Sequence, residues 1–336
     1  MRSPARKGFT LIELLVVIAI IVLLVGILLP TLGKARKTAM QVKCSTHQRA
    51  IIGSLINYAA ESREQLPSPE SLDPANATEA AATGGKSKNR TGAILSYLIF
   101  NYSLAPELCV TPAEVYTIQP MGDYQFNRPA SALDPANAVW DPRFKGSPYD
   151  NNGSTILNME PVKIGHNSYA HMAFAGARRQ FWTKLSRMTT QPVFCNRGPQ
   201  YTETETPTIS PTGGPPTWTL AGSPYGTDAP SLLIHGPGNK WWGNVAFADN
   251  HVDFFKEPDP EQVTFLDKRA NPNAAIAQKD NLFVDETNEG TATETEGNRK
   301  NAYMRQWMKG CPLDTFTADL HLKPGSGFAW SDGYEQ

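Results

Sequence analysis

No two of the four cysteines, Cys44, Cys109, Cys195 and Cys311, are close enough in sequence to form a Cys-x-x-Cys metal or redox pair. The HExxH, GxSxG and P-loop patterns are missing too, so no zinc-protease helix, hydrolase elbow or phosphate loop is written in the chain. There is no basic stripe after residue 50, and 31 basic against 32 acidic residues leave a formal charge of −1. That balance argues against a nucleic-acid binder, which needs a cationic face. Helical periodicity is scarce beyond residue 60, and no periodic repeat is evident. What is plentiful there is Pro (27 in the chain) and Gly (26), with aromatics at 10%. This combination predicts a loop-rich region built on β structure. At 336 residues the chain has room for one large domain or two small ones behind an N-terminal segment.

One long hydrophobic run is present, "KGFTLIELLVVIAIIVLLVGILLP", Lys7 to Pro30. Leu14 to Leu29 is sixteen residues without a polar side chain, and Phe9 to Leu32 is 24. At about 1.5 Å per residue this spans a hydrocarbon core of about 30 Å. A secretory signal peptide would explain Arg2, Arg6 and Lys7, but the run is too long and no small-x-small cleavage site follows it. A plain signal anchor explains the length and leaves Glu13 unexplained. An acid near a membrane helix centre costs about 2.5–3.5 kcal/mol, less near an end, so Glu13 requires a partner.

The run closely resembles the type III signal of type IV pilins and of type II secretion pseudopilins. The match lies at Gly8, Phe9, Thr10, Leu11, Glu13 and Pro30, behind a short basic leader. The resemblance implies that prepilin peptidase cuts between Gly8 and Phe9 and N-methylates Phe9. It also implies that Glu13 meets the N-terminal amine of a neighbouring subunit during assembly. The chemistry is consistent, because a desolvated carboxylate is tolerable beside a cation and cleavage creates one at Phe9. An intrachain pair is open as well, since Phe9 and Glu13 are four residues apart. Loss of the three leader charges leaves 28 basic against 32 acidic residues, or −4. Three basic residues before the span face Lys34, Arg36 and Lys37 after it, so charge does not orient the helix. The resemblance places the N-terminus in the cytoplasm of a bacterium, as a single pass of the inner membrane with the C-terminal domain periplasmic or extracellular, alone or in a fibre.

With no proline between Pro30 and Pro67, the helix is expected to run on to about Ala60. Ile52, Leu55, Ile56 and Ala59 give that second half an apolar stripe. The expected organisation is a leader at 1–8, a transmembrane segment at 9–32, an amphipathic continuation at 33–61 and an extracytoplasmic domain at 62–336. The expected fold class is α+β, a long N-terminal helix packed on a loop-rich antiparallel β domain of pilin type. Residues 66–90, 202–230 and 257–300 read as long surface loops, too polar and breaker-rich to bury much apolar area. "GAILSYLIF" (92–100) reads as helix or strand, while "QPVFCN" and "SLLIHG" read as short strands. "CSTHQRAIIGSLINYA" resembles the segment after the first helix in a large pseudopilin-like group, matching at Cys44, Arg49, Ile52, Gly53 and Tyr58 and departing at His47-Gln48.

"WWGNVAFADNHVDFFK" is the sharpest local pattern in the soluble part. It predicts strands at about 243–248 and 251–255, joined by a two-residue type I′ turn at Asp249-Asn250. Ala248 then faces His251, and Ala246 faces Asp253. The stretch partly resembles a His…Ala-Asp-Gly-His-Val motif of the same group, with thirteen residues rather than about nine between His235 and Asp249 and with Asn250 in place of Gly. His235, Asp249, His251 and Asp253 are metal-ligand types, but the turn explains Asp249 and an exposed strand face explains His251 and Asp253. Some pseudopilins use calcium near their C-terminus, and that resemblance does not map onto these four residues. No other cofactor is implied.

His166 and His171, five apart, fall on opposite strand faces. Cys195 in "VFCNRGP" has no histidine at nucleophile spacing and reads as structural. Four cysteines allow three disulfide connectivities; one or two bridges suit an exported domain, and buried free thiols suit it equally. Trp241-Trp242 is either a sugar- or partner-binding surface or the packing of a loop on the hairpin. The sequence thus points to a non-enzymatic structural subunit of a type IV pilus-like fibre or a secretion pseudopilus. Its expected partners are prepilin peptidase, other pilin or pseudopilin subunits and the inner membrane, with no nucleic acid. The competing reading is a glycan- or metal-binding, or hydrolytic, domain delivered by the same signal.

Overall fold

A computed structural model describes residues 10–80, 88–148, 164–172, 182, 184–185, 191–203, 218–223, 226–267, 276–284, 302 and 304–307. The leader, Phe9 and Cys311 lie outside the described residues, as do parts of the three expected loops.

Helix α1 runs from Leu11 to Glu61 and passes through Pro30 unbroken. Pro30 supplies no N–H to the ladder, and Thr31 Oγ1 turns back to the Leu28 carbonyl at 2.8 Å. Every residue from Leu11 to Leu32 is exposed. The second half buries a stripe of Cys44, His47, Gln48, Ile51, Ile52, Ser54, Leu55 and Ala59. These positions recur at three- and four-residue intervals, one face of a 3.6-residue period. Burying each of Ile51, Ile52 and Leu55 contributes about 1.5–3 kcal/mol. The helix stops at Ser62, where Arg63 (φ 56°) and Glu64 (φ 65°) turn left-handed and Glu64 N–H returns to the Ala59 carbonyl at 2.8 Å.

The stripe seats on a five-stranded antiparallel sheet. Its strands are β1 (Tyr169–Met172), β2 (Pro192–Asn196), β5 (Gly243–Phe247), β6 (Val252–Phe255) and β9 (Met304–Arg305), in the order β6-β5-β2-β1-β9. Strands β1, β2 and β5 are buried at every residue. Side chains alternate between faces, so continuous burial means that both faces are covered. Two small hairpins complete the β structure: β3 (Tyr201–Glu203) with β4 (Trp218–Leu220), and β7 (Thr264–Asp267) with β8 (Ile276–Lys279). The long N-terminal helix on antiparallel sheet is the α+β arrangement expected from the sequence.

One open local expectation is settled and two change. "GAILSYLIF" resolves as helix α3 (Thr91–Phe100), and "SLLIHG" is not a strand but a one-turn helix, α4 (Ser231–Ile234). Pro230 starts that turn in the right-handed helical region (φ −60°, ψ −26°), which favours a helical turn over extension. The described part of 66–90 is not a solvated loop. It holds the short helix α2 (Pro69–Leu72) and buries Leu66, Asp73, Thr78, Glu79, Lys88 and Arg90. Two internal ion pairs replace the missing apolar area, Lys88–Asp73 at 2.8 Å and Arg90–Glu79 at 2.7 Å.

Candidate functional site: helix terminus and helix–sheet seam

The start of α1 is built by residues three apart. Thr10 is the N-cap, with extended backbone (φ −83°, ψ 152°). Its hydroxyl accepts Glu13 N–H at 3.3 Å, while its own N–H and Oγ1–H both donate to Glu13 Oε2 at 2.8 Å. This is a reciprocal capping box, which satisfies helix-end N–H groups that otherwise lack partners. Glu13 therefore has an intrachain partner at the start of the membrane run. The Thr-x-x-Glu spacing in "TLIE" is the sequence signal for it, and attention to the charge alone passes over Thr10. Gly8 and Phe9 lie outside the described residues.

The other end of α1 meets the sheet through a polar seam. Asn196, fully buried on β2, accepts Asn244 N–H at Oδ1 (2.8 Å) and donates from Nδ2 to Cys44 Sγ (3.3 Å). Gln48 Nε2 donates to the Asn244 carbonyl at 3.2 Å, and Asn244 Nδ2 donates to the Gln41 carbonyl at 3.1 Å. His47 Nδ1 bonds the Val110 carbonyl at 2.9 Å, beside the 3-10 turn Pro106–Cys109. Burial holds the His47 imidazole below its ordinary pKa, and the Lys43 charge adds to this against the Val110 bond. No spacing in the sequence brings Asn196 and Asn244 to Cys44 and Gln48, because the contacts span two strands and the helix.

Cys44, Cys109 and Cys195 are buried free thiols that pair with one another in no combination. Burial pushes the Cys109 and Cys195 thiols far above their usual value, so neither is a thiolate nucleophile at neutral pH. The contemplated disulfide among these three is absent, and Cys311 lies outside the described residues.

The hairpin forms, but with a shifted register. Ala246 pairs with Val252 and Val245 with Asp253, which makes the loop three residues long rather than two. Only Asn250 takes positive φ (71°), so a type I′ turn, which needs two such residues, cannot form. Asn250 N–H bonds the Phe247 carbonyl at 2.9 Å and Phe247 N–H bonds the His251 carbonyl at 3.0 Å, a turn closed by one left-handed residue. Asp249 Oδ1 accepts His251 N–H at 3.1 Å and also contacts His251 Nδ1. His235 instead packs edge-on against Phe254 (5.9 Å), and burial lowers its pKa to about 4. Among the described residues no three His, Cys, Asp or Glu side chains are grouped to hold a metal ion.

His171 is fully buried on β1, with Nε2 2.9 Å from Thr91 Oγ1 and Nδ1 2.9 Å from the Met172 carbonyl. A hydroxyl beside an imidazole resembles a nucleophile and base, but no solvent reaches it, and burial lowers the His171 pKa to about 4. His166 is apart from it, bonded to the Gln119 carbonyl at 3.0 Å. Trp241 is a core residue that donates to the Arg197 carbonyl at 3.0 Å and packs on Phe283, so only Trp242 of the pair reaches the surface, beside Lys256 Nζ. A surface pocket of about 380 Å³ opens beside Tyr102, Pro106, Glu107, Met121, Tyr124 and Phe126, with Tyr102 stacked on Phe126 at 5.0 Å.

No curated protein and no solved structure matches the chain. Residues 3–29 match the family model of the prokaryotic N-terminal methylation motif. That span contains Gly8, Phe9, the Thr10–Glu13 capping box and most of the exposed apolar half of α1. The chain carries a prepilin-type signal, and the motif indicates a type IV pilin-like protein processed by prepilin peptidase.

Proposed function

We propose that this protein is a structural, non-enzymatic subunit of a type IV pilus-like fibre or a type II secretion pseudopilus. The observation that carries it is the outer half of α1. Among the described residues nothing buries the apolar stretch of at least 18 residues there, most of which lies within the methylation motif. In the bilayer this face is solvated by lipid; in a fibre it packs against the same face of other subunits. Prepilin peptidase cuts at Gly8–Phe9 on the cytoplasmic side, and the domain from about residue 62 lies outside the inner membrane. The new Phe9 amine then competes with Thr10 for the Glu13 carboxylate, and a neighbouring subunit's amine sets the register of assembly. The role needs no cofactor.

The test is peptide mass mapping of the N-terminus in protein extracted from membranes. The expected first residue is N-methylated Phe9. Recovery of Met1–Gly8 still attached in the bulk of the protein overturns the proposal.

A further inference from the structure

The hexapeptide Leu-Asp-Pro-Ala-Asn-Ala occurs twice, at 72–77 and 133–138. Both copies close the same turn, Asn76 N–H to the Asp73 carbonyl (3.3 Å) and Asn137 N–H to the Asp134 carbonyl (3.1 Å). Their aspartates have different fates. Asp134 is exposed, and its carboxylate accepts only local donors, Ala136 N–H (3.1 Å) and Asn137 Nδ2 (2.7 Å). Asp73 is sealed against Lys88, with side-chain exposures of 2% and 1% and Nζ 2.8 Å from Oδ2. Nζ also contacts the Asp73 main-chain carbonyl.

From this geometry we infer that Lys88 and Asp73 become joined by an amide, an autocatalytic cross-link that closes the 73–88 loop covalently. Three features carry it. The amine and carboxyl are already in contact, which turns a bimolecular condensation into an intramolecular one. Both are out of water, so no solvent competes for the amine or the carboxyl. Three backbone N–H groups surround the carboxyl, Ala77 on Oδ1 (2.7 Å) and Thr78 and Glu79 on Oδ2 (3.1 and 3.4 Å). They are donors for the oxyanion of a tetrahedral intermediate.

The step balances without an oxidant or co-reactant. The Lys88 ammonium passes one proton to the Asp73 carboxylate. The neutral Nζ attacks Cγ, the C–N bond forms, and negative charge collects on Oδ1 at the Ala77 N–H. The second Nζ proton passes to the Oδ2 hydroxyl, which leaves as water. The products are one amide and one water.

Tryptic mapping of the full chain extracted in detergent decides the matter. The expected species is one branched peptide in which 64–86 is joined to 87–90, lighter than the two together by one water, with no cleavage after Lys88. Separate peptides with cleavage after Lys88 overturn the cross-link and leave a buried salt bridge. Lys88→Arg keeps the charge and is expected to give only unlinked peptides; loss of water from 64–86 in that variant also overturns the assignment.

Discussion

Along Leu11–Leu32, α1 carries one ionisable side chain and buries nothing; along Cys44–Ala59 it buries eight residues, four of them Cys44, His47, Gln48 and Ser54. The outer half meets its polar need locally, with Thr10 three residues from Glu13. The inner half meets its needs at long range: His47 on Val110, Gln48 on Asn244, Cys44 on Asn196, and Ser54 Oγ 2.5 Å from the Ser103 carbonyl. A helix that closes its own polar groups can leave one solvent for another, as a segment passing from lipid into a fibre must. A helix whose polar groups close on two strands cannot slide or rotate without leaving buried donors unpaired. Under the proposed function, one element is a transferable rod at one end and a fixed strut at the other.

If that contrast holds, acid should loosen the strut and spare the rod. His171 behind the strut has a folded pKa of about 4 against 6.5 unfolded, and burial shifts His47 the same way. The unfolded chain therefore binds more protons between pH 6.5 and 4, so stability is full above about 6.5 and falls as pH drops through that window. His171 alone contributes about 3 kcal/mol to the fall. Thermal unfolding of the full chain in detergent from pH 7.5 to 4 is expected to show it, with helicity of the membrane half unchanged. A flat midpoint across that range would mean the imidazoles are not buried as neutral groups. Below about pH 4.5 a second loss follows, as Glu114, held ionised by the buried Arg197 against the cost of its own burial, becomes protonated.

A smaller effect comes from the seam itself. Asn196→Ala leaves Asn244 N–H and the Gln48 amide short of an acceptor in a dry interface. The cost is about 2 kcal/mol, read as a lower denaturant midpoint with the same slope. Membrane insertion should be unaffected, because the outer half touches none of these groups. A matching loss of insertion would show that the two halves are coupled after all.

How much of this the sequence disclosed follows the range of each interaction. The apolar run, Glu13 and the 52/55/59 stripe are local patterns, and they give the length of α1 and its buried face. The hairpin was legible to within one residue, since Asp and Asn both tolerate positive φ and only the strand register shows that Asn250 alone adopts it. Residues 66–90 misled because their polarity signals solvent, whereas Asp73 and Glu79 find buried cations 15 and 11 residues away. Asn196, in a strand whose position was plain, gave no sign that its amide would hold the helix.

The least costly change tests the rod. Thr10→Ala removes the N-cap hydroxyl and one of the two donors to Glu13, at about 1 kcal/mol of local helix stability. Thr10→Ser restores both bonds. Before cleavage, the loss leaves the carboxylate less satisfied at the membrane edge. After cleavage, it removes one of the two local competitors for the Glu13 carboxylate, leaving the backbone N–H of residue 10. The expected outcome is lower steady-state insertion for Thr10→Ala, recovered by Thr10→Ser, with the unfolding midpoint of the outer domain unmoved in both. The comparison sharpens further with Glu13→Gln, which keeps an acceptor for the Thr10 donors and so should insert normally, yet offers a cationic amine no charge. Normal insertion with failed assembly in Glu13→Gln, beside impaired insertion in Thr10→Ala, separates the two duties of one carboxylate. Equal behaviour of the two variants would mean that the capping box has no part in insertion.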